Sequence, residues 1–261
     1  MNYYLVGNTD LAELALWAFF LFFIGLIVYL RREDRREGYP LESDVTGRLE
    51  NPGWLFRPDD KTFILSNGRG VVRAPGKRVF EAPNPKTRRM SPYEGAPIEP
   101  TGNPLIDGVG PASWVERAHA PDIMLDGSPK IVPLDKSHGF WIARQDRNPI
   151  GMPVFGCDNV MAGVVSNVWV DQMERVIRYL EVRLMGDAGG AGRTVTTPMA
   201  MCQVNARRGT VKVDAIRADQ FAAAPALASN SQITFNEEER VIGYFGGGYL
   251  YAKRSRIEPF L

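Results

Sequence analysis

The sequence predicts a mainly β protein with one N-terminal transmembrane helix, an extended Pro-rich segment, and a cytoplasmic antiparallel β domain that ends in a short helix. Three observations predict it: an unbroken apolar run over Leu14–Leu30, prolines concentrated in the middle of the chain, and apolar–polar alternation beyond residue 136. The expected divisions are an N-terminal segment and helix over residues 1–36, with the span at about 11–30, an extended surface segment over 37–135, and the β domain with its helix and tail over 136–261.

No residue from Leu14 to Leu30 is charged, and extending the run back to Leu11 adds only Glu13. About 20 residues rising about 1.5 Å each cross about 30 Å, one bilayer core. A secretory signal would have a positive n-region, an apolar core of about 7 to 15 residues and a small-residue cleavage site. The leader MNYYLVGNTDLAE has no Lys or Arg, the run is longer, and no such site follows, so the segment reads as a retained anchor. Arg31, Arg32, Arg35 and Arg36 follow it at once, which predicts that the remainder stays on the cytoplasmic side. Tyr3, Tyr4, Trp17 and Tyr29 are interface aromatics in this reading, although Trp17 sits deep enough in the run to be simply a packing residue.

Lys and Arg number 31 against 30 Asp and Glu, which argues against a nucleic-acid binder, whose basic excess collects on one face. Cys157 and Cys202 form no CxxC, and a cytoplasmic location leaves them reduced; a zinc site would need both, plus His119 and His138, to converge from distant positions. Of the 19 prolines, 16 lie between Pro40 and Pro153, which excludes a helix bundle there. KTFIL, GVVRAP, PLIDGVG and SWV add apolar anchors that a solvated linker does not need, so this stretch reads as extended chain laid over another protein's surface.

Beyond residue 136, MAGVVSNVWVD and RYLEVRLM alternate, the second placing Leu180, Val182 and Leu184 on one face and Tyr179, Glu181 and Arg183 on the other. TVTTPMAMCQVNARRGTVKVDAI adds two runs joined by a turn at ARRG, completing a small sheet or barrel. Asn236 followed by Glu237, Glu238 and Glu239 reads as the capped start of a short helix that Gly246 to Gly248 would stop. GDAGGAGRT lacks the Lys-Ser/Thr pair of a phosphate loop, and GVGPAS lacks the dinucleotide-fold spacing. With no GxSxG or HExxH either, the chain is not expected to be an enzyme.

One loop carries chemistry. WVDQMERVIRYLEV places Asp171 and Glu174 between two strands, with Arg178 opening the second. It reads either as a solvated turn with a weak surface ion pair or as a proton relay, in which desolvation and mutual repulsion raise the carboxyl pKa values while Arg178 restrains them.

These features together resemble the H subunit of the purple-bacterial photosynthetic reaction centre. The resemblance rests on YLRREDRREGYPL after the anchor, KTFIL, PTGNPLIDGVGPASW, KIVPL, NPIGMPVFGCD, VWVD, RYLEV and EEERVIGYFGGGYLYA, in that order along nearly the whole chain. It implies a PRC-barrel fold for the C-terminal part. It also implies a subunit without pigment of its own, lying in the intracytoplasmic photosynthetic (inner) membrane with a periplasmic N-terminus. The implied partners are the L and M subunits, which would hold bacteriochlorophyll, bacteriopheophytin, quinones and non-haem iron, together with a light-harvesting 1 antenna and a cytochrome subunit. The implied role is to cap L and M, shield the quinone sites and conduct protons to the secondary quinone.

The resemblance further implies that the route runs through the acid pair matched by Asp171 and Glu174, with Arg178 as the family's arginine. Some relatives carry histidines after an Asp-Gly pair at the entrance, whereas here Asp126 and Gly127 precede Ser128 and Pro129. Asp126 is then the entry acid, with Asp122 and His119 as nearby acceptors. Arg31, Arg32 and Arg35 with Tyr39 resemble a lipid-headgroup contact suited to cardiolipin. The rival reading is a membrane-tethered PRC-barrel adaptor for an unrelated cytoplasmic partner. A hydrolase built on Asp171 and Glu174 lacks a nucleophile or metal site.

Overall fold

The structure, a computed structural model, describes residues 4–6, 9–36, 39, 41–51, 53–66, 68, 70–74, 86–186 and 192–257. Tyr3, residues 75–85 of the Pro-rich segment and residues 187–191 of the glycine loop lie outside them. The chain forms two compact units, Met1–Pro83 with Met90–Pro97, and Asn84–Arg89 with Ile98–Leu261.

In the first unit β1 (Tyr4–Val6) pairs with β2 (Thr9–Asp10), and α1 (Leu11–Glu33) follows directly. Asp10 caps α1, its Oδ1 accepting the Glu13 amide at 2.8 Å. At 23 residues α1 is about 34 Å long. Its apolar stretch reaches a mean hydropathy of 2.4, and none of its residues is buried. A soluble helix would bury a stripe; one that is apolar all round and buries none of its residues suits a lipid environment. β3 (Lys61–Ile64) and β4 (Val71–Ala74) form a hairpin in the same unit.

The second unit opens with β5 (Thr87–Arg89) paired to β6 (Ile98–Pro100), then α2 (Pro104–Asp107), capped by Asn103 Oδ1 on the Leu105 amide at 3.2 Å. Its main sheet contains β7 (Ile131–Pro133), β8 (Pro153–Phe155), β9 (Met161–Asp171), β10 (Val176–Leu184), β11 (Thr194–Pro198), β12 (Cys202–Asn205) and β13 (Thr210–Val213). The order is β11-β10-β9-β8-β13-β12, with β7 also paired to β9. All pairs are antiparallel except β8 with β13, and the path is not closed into a barrel.

Two boundaries differ from the sequence reading. β7 lies inside the stretch expected to be extended over partners, yet it is buried and pairs through Ile131 with Asp171. Leu105, Val109 and Ala112 are buried as well, so this unit's own core recruits chain well before residue 136. The helix α3 (Phe235–Tyr251) begins at Thr234, not Asn236: the Thr234 hydroxyl accepts the Glu237 amide at 3.2 Å while Glu237 Oε2 accepts the Thr234 amide at 2.8 Å. Asn236 is buried and accepts the Arg117 amide at 3.0 Å.

Nor do the glycines stop α3. A Cβ on Gly247 would lie 2.4 Å from Ala112 Cβ, and one on Gly248 2.5 Å from the Ala215 carbonyl oxygen, so they permit a close approach that outweighs their poor helix propensity. Phe245 and Phe221 meet edge-on with ring centres 5.8 Å apart in the core, which also contains Trp169 and Leu180.

Candidate functional site

The β9–β10 loop is built around Asp171, which is fully buried at the end of β9. Its Oδ1 accepts the amides of Met173 at 3.0 Å and Glu174 at 2.9 Å, closing the turn, and Arg175 adopts a left-handed φ of 58° before β10 begins. Its Oδ2 faces Arg178 Nε at 3.3 Å and Lys130 Nζ at 3.4 Å. Glu174 Oε2 receives Arg178 Nη2 at 2.9 Å, and Oε1 faces Lys130 Nζ at 3.5 Å. Half of the Glu174 side chain is exposed, so it alone of the two acids is within easy reach of water.

Arg178 reaches both acids because the pairing slips around it. Ile177 pairs with Val170 and Tyr179 with Trp169, leaving Arg178 as the extra residue of a bulge. Tyr179 is buried although the simple alternation had placed it beside Glu181 and Arg183 on the outer face: it pairs with the buried Trp169, and Glu238 of α3 meets its hydroxyl.

Lys130 is the group that sequence reasoning missed. It precedes β7, whose pairing with β9 brings it to Asp171, and its Nζ also stands 3.7 Å from Asp122 Oδ2. Two cations thus neutralise most of three carboxylates. Burial alone would push the Asp171 carboxyl up, but the Glu174 amide, Lys130 and the Met173 amide together hold it below its ordinary value. Burial likewise opposes the charge on Lys130, yet Asp171 and Glu174 raise its pKa.

Tyr179 and Glu238 were missed too. The Tyr179 hydroxyl donates to Glu238 Oε2 at 2.6 Å. Burial, above all, raises the Glu238 carboxyl, with Asp122 adding to the rise and Tyr179, Arg178 and Lys130 opposing it. These residues come from α3, β10 and the segment before β7, and no local pattern links them.

Of the expected entry acid Asp126 and its acceptors Asp122 and His119, only Asp122 joins this cluster. Asp126 sits at the tip of a hairpin closed by Ile123 and Pro129, where Gly127 takes a φ of 84°. The hydroxyl and amide of Ser128 bind Asp126 Oδ1 at 2.6 and 2.9 Å and hold its carboxyl below the ordinary value. His119 is exposed and faces Glu116 at 3.2 Å. Among the described residues, no hydrogen bond or ion pair links Asp126 or His119 to the cluster around Lys130, and no group of His, Cys, Asp and Glu could hold a metal ion.

The family described as photosynthetic reaction centre, H-chain N-terminal region, matches residues 3–136, just over half of the sequence. The chain belongs to the reaction-centre H-chain family. The PRC-barrel domain matches residues 143–220 of this H chain, a range that includes β8 to β13. Membership makes it a subunit associated with the reaction-centre complex of L and M, and α1 fits a membrane anchor.

In the first unit of the H chain the basic run is largely engaged by its own carboxylates. Arg35 is buried against Glu50 at 2.7 Å, with Tyr39 and Phe56 ring centres 5.4 and 5.7 Å from its guanidinium carbon. It is therefore turned inward, contrary to its expected place in a headgroup contact. Arg36 binds Glu33 at 3.0 Å and Arg32 meets Asp59 at 3.1 Å. Arg31 stays exposed, 3.7 Å from Asp34. Arg32 also borders a shallow hollow with Trp54 and Arg57. In the second unit an open, mainly apolar cleft of about 600 Å³ lies beside the β9–β10 loop, lined by Leu134, Trp141, Arg147, Arg175, Val176 and Met199 among others.

Proposed function

We propose that this H chain caps the cytoplasmic face of the L and M subunits, shields the quinone sites from water and conducts protons from the cytoplasm to the secondary quinone during light-driven electron transfer. The observation that supports conduction best is the setting of Glu174: a half-exposed carboxylate, 2.9 Å from Arg178 and 3.5 Å from Lys130, on a loop whose backbone is fixed by a buried acid. The two acids divide the work. Asp171, with four donors on its carboxylate, stays ionised at neutral pH and positions the loop, so the raised pKa expected of both carboxylates does not describe it. Glu174 can swing, take a proton and pass it on.

In this reading the chain itself binds no pigment. Bacteriochlorophyll, bacteriopheophytin, quinones and non-haem iron belong to the partner subunits, and an antenna and a cytochrome subunit complete the assembly. The arginines from Arg31 onward support a periplasmic N-terminus, and Arg31, Arg32 and Arg57 support contact with an anionic lipid such as cardiolipin.

Glu174→Gln tests the conduction reading, because it keeps shape and hydrogen bonding while removing the exchangeable acid. In the purified complex the first flash-induced transfer to the secondary quinone should change little. The second transfer and proton uptake should slow at least about tenfold, a barrier increase of about 1.4 kcal/mol. Small diffusible acids should partly restore the rate. A normal second transfer without acid rescue returns the loop to a solvated turn.

A further inference from the structure

The relay leaves one half-buried carboxyl unused. Glu238 lies in the first turn of α3 and accepts the Tyr179 hydroxyl at 2.6 Å. From β10 it is faced by Tyr179 and Arg178, and from the segment leading into β7 by Asp122 and Lys130. This arrangement is built into the backbone. Pro121 bridges to Thr234, the Phe235 amide donates to the Ala120 carbonyl at 3.1 Å, and the Lys130 amide donates to the Asp122 carbonyl at 2.8 Å. The start of α3 is thereby stitched to the strip that carries Asp122 and Lys130. Asp122, with 37% of its side chain exposed, gives this group of residues a side open to water.

Tyr179 is too weak an acid to be the group that loses a proton. Burial first, then the Glu238 charge, pushes its hydroxyl far above the ordinary range, so it remains a donor whatever the state of its partner. The exchangeable proton of the dyad therefore sits on the carboxyl. Burial and Asp122 favour the neutral acid, whereas Arg178, Lys130 and the Tyr179 hydrogen bond favour the carboxylate. Opposed influences of this kind let a small change in nearby charge move the group between its two states.

We infer that Glu238 is a proton-holding group of this subunit, alternating between a carboxylate that accepts the Tyr179 hydroxyl and a neutral carboxyl whose other oxygen carries a proton taken from the cytoplasm. The inference rests on the proton-conduction reading above. In the loading step water delivers a proton to Glu238 past Asp122, and Tyr179 keeps its own. In the discharge step Glu238 gives that proton to an ionised Glu174 through intervening water, so one carboxyl becomes a carboxylate as the other becomes neutral. Arg178, bound to Glu174 and facing Glu238, couples the two charges.

The test uses the assembled complex with Glu238→Gln and Tyr179→Phe. Light-minus-dark infrared spectra should contain a carboxylic C=O band that is lost in Glu238→Gln and shifted in Tyr179→Phe, where the carboxyl remains but its donor is gone. Flash-induced proton uptake should fall in Glu238→Gln and shift along the pH axis in Tyr179→Phe, changes that a purely structural contact would not produce. If Glu238→Gln assembles with the band and the uptake unchanged, the inference is wrong. If it fails to assemble, Tyr179→Phe decides alone, and an unshifted band overturns the inference. Glu174→Gln separates this inference from the conduction reading. A normal second electron transfer in Glu174→Gln together with a lost band in Glu238→Gln would retain the proton store and reject the relay, and the reverse pattern would reject the store alone.

Discussion

Lys130 Nζ stands 3.4 Å from Asp171 Oδ2, and the two residues are brought together by the Ile131–Asp171 pairing of β7 with β9. The buried carboxylate also ties down two loop amides, so Asp171→Ala leaves donors without an acceptor and a cation without its nearest partner. It should destabilise the H chain by about 3 kcal/mol. Lys130→Met should cost less, because Arg178 still faces Asp171 at 3.3 Å. Denaturant unfolding of the full chain ranks the two, and equal small losses would mean that water replaces these contacts.

The pH dependence has two limbs of opposite sign. Asp171 has a folded pKa below its ordinary 3.8, so its stabilisation is complete above that value and is lost as pH falls through the folded value. Glu238 is raised above its ordinary 4.5, so its contribution is complete below that value and is lost as pH rises through the folded one. Asp171→Asn should flatten the acid limb of the stability curve, and Glu238→Gln the limb above the ordinary glutamate value. Unfolding free energies measured as a function of pH in both variants would refute the assignment if the limbs were exchanged.

The anchor, the alternating strands and the β9–β10 loop were legible in the sequence because each depends on residues close together in the chain. The start of α3 was misplaced by two residues, although Thr234 and Glu237 spell a capping box that outranks Asn236 as a start signal. The glycines misled for a different reason: their low propensity is a local property, whereas the closeness of Ala112 and Ala215 is a tertiary one. Lys130, Tyr179 and Glu238 were invisible for the same reason, since the pairing of β7 with β9 and the contact of α3 with β10 bring them together. The parallel pairing of β8 with β13 likewise leaves no trace in alternation.

Neighbouring glycines of α3 provide an internally controlled test. A Cβ on Gly246 would meet only the Pro111 carbonyl oxygen, at 3.8 Å, so Gly246→Ala should be neutral or stabilising by up to about 1 kcal/mol. Gly247→Ala would drive a methyl group to 2.4 Å from Ala112 Cβ and should destabilise by about 1–3 kcal/mol or more. Melting temperatures that fall equally for both would show that helix geometry, not close packing, fixes these positions.

The proposed orientation rests on the arginines from Arg31 onward, at the C-terminal end of α1, and on the absence of Lys and Arg before them. In sealed vesicles with the cytoplasmic face outward, protease should cut the chain beyond residue 40 wherever the complex leaves it accessible, while a tag at Met1 survives. Loss of that tag with an intact C-terminal domain would reverse the topology.

The arginines at and just beyond the C-terminal end of α1 should separate into structural and lipid-facing roles. Only 6% of the Arg35 side chain is exposed, and it carries the Glu50 ion pair and two aromatic neighbours, so Arg35→Ala should destabilise the first unit by about 1–3 kcal/mol through a lost cation and a cavity. Arg31 and Arg32 keep 54% and 38% of their side chains exposed, and their pairs with Asp34 and Asp59 are of the weak surface kind, worth at most about 1 kcal/mol. Removing either should leave unfolding nearly unchanged but weaken attraction to an anionic membrane by about 1 kcal/mol per charge. Complexes in nanodiscs with and without cardiolipin distinguish these effects: lipid retained on purification should fall in Arg31→Ala and Arg32→Ala, whereas Arg35→Ala should lower thermal stability in both lipid compositions. Retention that depends on Arg35 alone would move the headgroup contact inward to the Glu50 pocket.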